Sequence, residues 1–226
     1  MLLNAYDLAD GATIFLKNPF VYGGDAEGDV LVVGYTHYYA ASRRTHNGVL
    51  RVALPEGQIL SDLPLDANDK AWGLNHHPER AGHLSFWTIQ ALLICYDHKH
   101  NRICWRRQMP APMVTSRLVV HDGTLYFAAE DGELYALDSS SGTLLWTAPI
   151  GGSPSRVFIS GEWLFLVGGS DGILYGIRRS DGAIVLTKRA AQHSIAEGIY
   201  YQRTCYADEE GVLLFDGEVW TYYSLD

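Results

Sequence analysis

The chain has little of what marks an exported, membrane-spanning or nucleic-acid-binding protein. Only three of its 226 residues are cysteine, an odd number that argues against a disulfide framework and leads us to expect reduced thiols. Cys95 and Cys104 flank one hairpin turn and read as buried small apolar residues rather than as a bond or a metal site. No apolar run approaches the roughly 18 residues that a spanning helix requires. The opening MLLNAYDLADG has no basic flank, apolar core or small-residue cleavage site. No secretory signal is therefore expected, and the expected location is the cytoplasm. Positive charge is scarce too: 17 Lys and Arg stand against 26 Asp and Glu, a net charge of −9. Field repulsion then disfavours nucleic acid and anionic membrane as partners. An acidic surface suits a basic partner, and it equally serves solubility alone.

What is present is a repeat. The stretch Leu118 to Trp146 reads as four strands: Leu118 to Val120, Thr124 to Ala129, Glu133 to Leu137 and Thr143 to Ala148. Asp122-Gly123 and Asp131-Gly132 are tight-turn dipeptides whose residues tolerate positive φ. The third turn, Asp138 to Gly142, combines backbone-bonding side chains with a glycine for the left-handed position. Shifted back by 41 residues, Gly82, Leu84, Phe86, Leu93, Asp97 and Trp105 fall on Gly123, Leu125, Phe127, Leu134, Asp138 and Trp146. Asn101 falls on Gly142, and Asn is the next-best residue for that conformation. Weaker copies lie at Gly172 to Leu186, Gly48 to Leu60 and Gly211 to Trp220, and a hairpin at Leu2 to Leu16 opens the chain. A period of about 40 residues with four strands per copy predicts an all-β propeller of antiparallel blades. Five complete blades plus an N-terminal hairpin are expected in one domain over residues 1–226. The ring would close either around five blades with the hairpin at the seam or as six positions with one incomplete.

The run Ala136-x-Asp138-x-x-x-Gly142-x-x-x-Trp146 resembles the tryptophan-docking motif of the quinoprotein-like (pyrroloquinoline-quinone-repeat) β-propellers, in which the Trp packs between adjacent blades. Ala5, Asp7, Gly11 and Phe15 nearly repeat it. The resemblance implies the fold and a habit of binding proteins through loops. It does not carry over the catalytic branch, whose larger, exported, eight-bladed members have adjacent cysteines and a Glu-Asn-Asp calcium site. No Cys-Cys pair exists here. The outer-membrane assembly lipoproteins of the family also lack catalytic residues, and they begin with a lipoprotein signal that this chain does not show.

One connection departs from the repeat. Tyr35 to His46 (YTHYYAASRRTH) follows Val30 to Gly34 and reads as a loop insertion of about ten residues. The connections of a meander alternate between faces. The insertion should therefore share a face with Ser61 to Lys70 and with the acidic turn Ala207 to Glu210. This predicts a partner-binding face carrying Tyr38, Tyr39, Arg43, Arg44, Asp66, Asp69, Trp72, Asp208, Glu209 and Glu210. Tyr and Arg combine large contact area with directional hydrogen bonds. The competing reading is a packed loop whose tyrosines cover a blade edge.

Apparent catalytic motifs carry less. Gly168-Gly169-Ser170-Asp171-Gly172 fits G-x-S-x-G, which needs a following helix to expose the serine, whereas Ile173 to Ile177 reads as a strand. Asp97-His98-Lys99-His100 reads as a surface turn without further metal ligands at ligand spacing. Gly151-Gly152-Ser153 lacks the Gly-Lys ending of a phosphate loop. No catalytic group, cofactor or metal is therefore expected. The expectation is a non-enzymatic propeller that binds another protein, of the immunity or antitoxin kind that neutralises a toxin or effector. The alternatives are an enzyme, a lyase or hydrolase acting on a small ligand in the central channel, and a structural scaffold derived from a larger propeller.

Overall fold

The computed structural model describes residues 2–6, 13–17, 20–39, 44–54, 57–65, 73–76, 78–151, 156–169, 171–189, 204–208, 210–215 and 220–224. Every regular element among them is a β-strand, and no helix is long and apolar enough to cross a membrane. The chain divides into two compact units, Met1–Gln108 and Met109–Asp226.

The first unit opens with an antiparallel hairpin of β1 (Leu2–Tyr6) and β2 (Thr13–Lys17). Two four-stranded meanders follow. One contains β3 (Phe20–Glu27), β4 (Val30–Tyr39), β5 (Arg44–Ala53) and β6 (Ile59–Pro64), and the other β7 (Glu79–Ala81), β8 (Leu84–Ile89), β9 (Leu92–Asp97) and β10 (Arg102–Gln108). In the second unit a sheet of β11 (Val119–His121), β12 (Thr124–Ala128), β13 (Glu133–Asp138) and β14 (Leu144–Pro149) precedes one of β15 (Phe158–Ser160), β16 (Trp163–Val167), β17 (Ile173–Arg178) and β18 (Ile184–Arg189). The last sheet has β19 (Thr204–Ala207), β20 (Gly211–Phe215) and β21 (Trp220–Ser224) among the described residues; residues 190–203, where an earlier strand was expected, lie outside them. Repeated four-stranded antiparallel sheets of this kind are propeller blades.

Local chemistry explains the repetition. Asp122 and Gly123 sit at φ of 46° and 75°, the double positive φ that a two-residue hairpin turn needs. The Asp131-Gly132 turn differs, since only Gly132 is left-handed there. Asn101, Gly142 and Gly182 take φ of 51°, 70° and 74° at the equivalent point of the third turn. The amide just before that turn donates back to the first hairpin of its own sheet: His98 N to His83 O at 2.8 Å, Ser139 N to Gly123 O at 2.8 Å, and Arg179 N to Glu162 O at 2.9 Å. One register shift then recurs in the outermost ladder of all four complete sheets, opposite the Arg51/Val52, Ala136/Leu137 and Gly176/Ile177 steps and between Ile103 and Trp105. The extra residue on the outer strand is Leu60, Cys104, Leu145 or Val185. A bulge at this point bends the outer strand and increases its twist.

In the β7–β10, β11–β14 and β15–β18 sheets the two middle strands are buried almost throughout, while outer strands such as β10 alternate between exposed and half-buried residues. This is the pattern of sheets stacked face to face. In the first unit Val32, Val49, Leu65 and Leu74 pack with Trp87, Ile89, Ile94 and Tyr96. The ring of Trp87 packs against Gly34 and leaves no room there for a Cβ. In the second unit Tyr126, Leu134 and Ala148 meet Leu164, Leu166 and Ile177, and Phe165 and Leu174 meet Val212 and Leu214. Each such large side chain contributes about 1.5–3 kcal/mol on burial, against about 1 kcal/mol net for a hydrogen bond. Stacking of sheets is therefore the dominant stabilising term.

Trp146 shows how two blades lock. It pairs with Ala136 in its own sheet, while its indole N–H donates to the Arg179 carbonyl of the next sheet at 3.0 Å. Arg179 in turn donates through Nη2 to Asp122 Oδ2 at 2.7 Å and through Nη1 to the Gly161 carbonyl at 2.6 Å. Trp105 holds the same ladder position, opposite Cys95. Trp220 does not, contrary to the alignment of the last copy. It opens β21 opposite Phe215 in a ladder without a register shift, so the repeating position falls further along the strand.

Candidate functional site

Over its described residues, 35–39 and 44–46, the expected loop insertion is strand rather than loop. β4 and β5 are each ten residues long, and their antiparallel ladder runs on through Thr36↔Asn47, His37↔His46, Tyr38↔Thr45 and Tyr39↔Arg44. Among the described residues the neighbouring strands pair no further than Thr36 on the β3 side and Gly48 on the β6 side. Three residue pairs therefore continue as a two-stranded ribbon beyond their own sheet. The physical reason is propensity: aromatic and β-branched residues in Tyr35-Thr36-His37-Tyr38-Tyr39 favour an extended, pleated backbone. Period-two reading of this segment would have found the strands; the repeat alignment concealed them by marking the segment as excess.

The base of the ribbon is tightly held. Tyr35 lies across its partner Gly48, where a Cβ would meet the phenol ring at 2.5 Å, and its hydroxyl donates to Asp62 Oδ1 at 2.7 Å. Thr36 Oγ1 donates to Asn47 Oδ1 at 2.7 Å and accepts from the Leu74 amide at 3.2 Å. The Leu65 amide donates to Asn47 O at 2.9 Å. Thr36, Thr45 and Asn47 are all buried. Leu65 and Leu74 flank the connection between β6 and β7, so both ends of that connection pack beside the ribbon. Arg106 of β10 joins them, its Nε donating to Leu65 O at 2.9 Å.

Of the predicted partner-binding residues, Tyr38, Tyr39 and Arg44 lie in the ribbon ladder. Arg43, Asp66, Asp69, Trp72 and Glu209 lie outside the described residues. Asp208 and Glu210 belong to the second unit, at the exposed turn between β19 and β20. There Asp208 Oδ1 accepts from the Glu210 and Gly211 amides at 2.9 Å each, so one carboxylate oxygen is committed to shaping its turn.

The corresponding connections of the second unit show what the ribbon replaces. Asp131 accepts from the Glu133 amide through Oδ1 at 3.2 Å and from the Tyr135 hydroxyl through Oδ2 at 2.5 Å. Asp171 repeats this with Ile173 at 2.9 Å and Tyr175 at 2.5 Å. Burial first, and then the adjacent carboxylate, push the Tyr135 phenol well up and that of Tyr175 to about 12. These aspartates close tight turns, and the strand Ile173–Arg178 follows directly. Among the described residues no helix follows the Gly168 to Gly172 turn to raise a serine nucleophile.

The Asp97 to His100 segment is a turn, but it is not a surface turn throughout. Asp97 and His98 are buried, because the chain folds back onto His83 at this point. Asp97 Oδ1 accepts from the Lys99 and His100 amides at 2.9 and 3.1 Å, and Oδ2 lies 2.6 Å from His100 Nδ1. Burial raises the Asp97 carboxyl, but the His100 side chain and the turn amides outweigh it and hold the group below the usual carboxylate range. His98 stacks edge-on against Tyr96 with ring centroids 5.0 Å apart. Among the described residues no group of three or more His, Cys, Asp or Glu side chains is arranged to hold a metal. Cys104 also departs from expectation: it is exposed, whereas Cys95 is buried as expected.

Blades that repeat at about 40 residues and lock through a docked tryptophan define a β-propeller of the pyrroloquinoline-quinone-repeat type. The family model described as outer membrane protein assembly factor BamB matches residues 45–199, and the chain belongs to that family. No curated protein sequence matches it. Among solved structures, BamB from Moraxella catarrhalis is 12% identical with a TM-score of 0.54, over 94% of this chain and 75% of its own. AztD from Citrobacter koseri is 12% identical with a TM-score of 0.58, over 81% of this chain and 51% of its own. The computationally designed Ika8 protein is 10% identical with a TM-score of 0.55, over 94% and 74%. At these identities the likeness is one of fold.

Proposed function

We propose that the protein is a non-enzymatic, protein-binding propeller of the immunity or antitoxin kind, which neutralises a toxin or effector by covering it with the β4–β5 ribbon. The observation that carries this reading is the continuation of the ladder to Tyr39↔Arg44, three pairs past its neighbouring strands. A ribbon held at its base by Tyr35, Thr36 and Asn47 presents its backbone with little ordering cost on binding. Its residue types, Tyr38, Tyr39 and Arg44, are those that anchor protein interfaces. The net charge of −9 would favour encounter with a basic partner. Membership of a family described as an assembly factor is in keeping with a role that depends on contact with other proteins.

The test is co-purification from the source lysate with the wild type and with Tyr38→Ala/Tyr39→Ala/Arg44→Ala, followed by co-expression with the captured partner. The reading requires one stoichiometric partner, lost by the triple variant, whose toxicity the wild type relieves and the variant does not. A partner held equally by both proteins would refute the ribbon, and a captured partner without toxicity would refute the neutralising role.

A further inference from the structure

We propose that Cys95 and Cys104 form a redox modification site, in which a hydroperoxide converts the two thiols into a disulfide linking β9 to β10. The placement comes from the recurring bulge. Cys95 faces Trp105 across the ladder while Tyr96 faces Ile103, which leaves Cys104 as the additional residue beside Trp105. Two residues of a bulged strand oppose one on the partner, so both Cys104 and Trp105 lie across from Cys95. Adjacent strands at a bulge hold Cα atoms at the separations that a disulfide spans.

The pair is peculiar to this blade. At the position of Cys95 the other complete sheets have Arg51, Ala136 and Gly176, and at that of Cys104 they have Leu60, Leu145 and Val185. Leu60, Leu145 and Val185 are each about half exposed, so the bulge position does not demand a thiol for packing. Its exposure also divides the chemistry. Cys104 meets solvent and Cys95 is buried. Burial and the neighbouring Cys104 push the Cys95 thiol up, which keeps it protonated and leaves Cys104 as the sulfur that an oxidant meets first.

In the first step the Cys104 sulfur attacks the terminal oxygen of the hydroperoxide. The O–O bond breaks, the leaving oxygen takes the thiol proton and departs as an alcohol, or as water from hydrogen peroxide, and Cys104 becomes a sulfenic acid. The Cys95 sulfur then attacks the Cys104 sulfur, the S–O bond breaks, and the departing hydroxide takes the Cys95 proton to leave as water. Two thiols are oxidised to one disulfide and the hydroperoxide is reduced by two electrons. A small thiol returns the pair to its starting state by exchange.

The test treats the folded protein with hydrogen peroxide and maps tryptic peptides without reduction; trypsin cuts after Arg102, between the two cysteines. A Cys205→Ser background removes the third thiol. The expected product is the Cys95 peptide joined to the Cys104 peptide, two hydrogens lighter than their sum and separated by dithiothreitol. Cys104→Ser should abolish the linkage and leave Cys95 unmodified. Accumulation of Cys104 sulfinic acid beside an intact Cys95 thiol would overturn the proposal, as would linkage of Cys104 between two molecules.

Discussion

The six-membered ring of Trp146 lies against Gly182 of the following blade, and a Cβ on that glycine would come within 2.6 Å of ring atom Cε3. Gly182 also sits at φ of 74°, so it answers two demands: a left-handed turn and room for the docked indole.

Gly182→Ala should therefore cost more than Gly161→Ala. Gly161 is left-handed at φ of 51°, but nothing lies within 4 Å of its missing Cβ. Its substitution should lower stability by about 1–2 kcal/mol from backbone strain alone. Gly182→Ala should add about 1–3 kcal/mol from overpacking against Trp146. Urea midpoints of the two variants check this, and equal losses would remove the docking role assigned to Trp146.

Trp146→Phe keeps an aromatic ring but removes the N–H that donates to Arg179 O. We expect a loss of about 1–3 kcal/mol for the orphaned carbonyl and the smaller ring. It should be non-additive with Gly182→Ala, since the two residues are in contact. A double-mutant cycle measures the coupling.

Asp97 should make the fold acid-sensitive. Its folded carboxyl titrates below the ordinary value of 3.8, so the unfolded chain binds the proton more readily. The stabilisation is present above about pH 4 and is lost as pH falls through the lower folded value. Asp97→Asn should cost about 1–2 kcal/mol at pH 7 and flatten the fall of the urea midpoint below about pH 4. An unchanged acid slope in the variant would show that other carboxylates control it.

Tyr135→Phe and Tyr175→Phe each remove a phenol that donates to a turn aspartate. A loss of about 1 kcal/mol apiece is expected, additive within about 0.5 kcal/mol because the two residues lie in different sheets. Tyr175 ionises at about 12 when folded and near 10 when unfolded. Its contribution is complete below about pH 10 and disappears as pH rises through about 12. Absorbance of tyrosinate against pH should show late ionisation that Tyr175→Phe diminishes.

The turn dipeptides, the 41-residue offset and the Ala-x-Asp-x-x-x-Gly-x-x-x-Trp run made the blades legible in the sequence, because each follows a local steric rule. A two-residue hairpin needs Asp122-Gly123 or its like whatever surrounds it, and Asn101 can replace glycine wherever a left-handed residue is required. The ribbon reads as a loop in the sequence because its strands exceed the repeat and so have no counterpart in the other copies. The burial of His98 and the exposure of Cys104 were not legible either. Neither depends on its immediate neighbours: the first follows from a turn that folds back onto His83, the second from a bulge that offsets one strand against another. The sequence by itself determined the repeated strands, their turns and the antiparallel order in which they pair, since these obey short-range φ preferences and side-chain alternation. Only the tertiary structure decided which residue faces which across a ladder or between blades, because one inserted residue displaces every later pairing and only the packed sheets select where it goes.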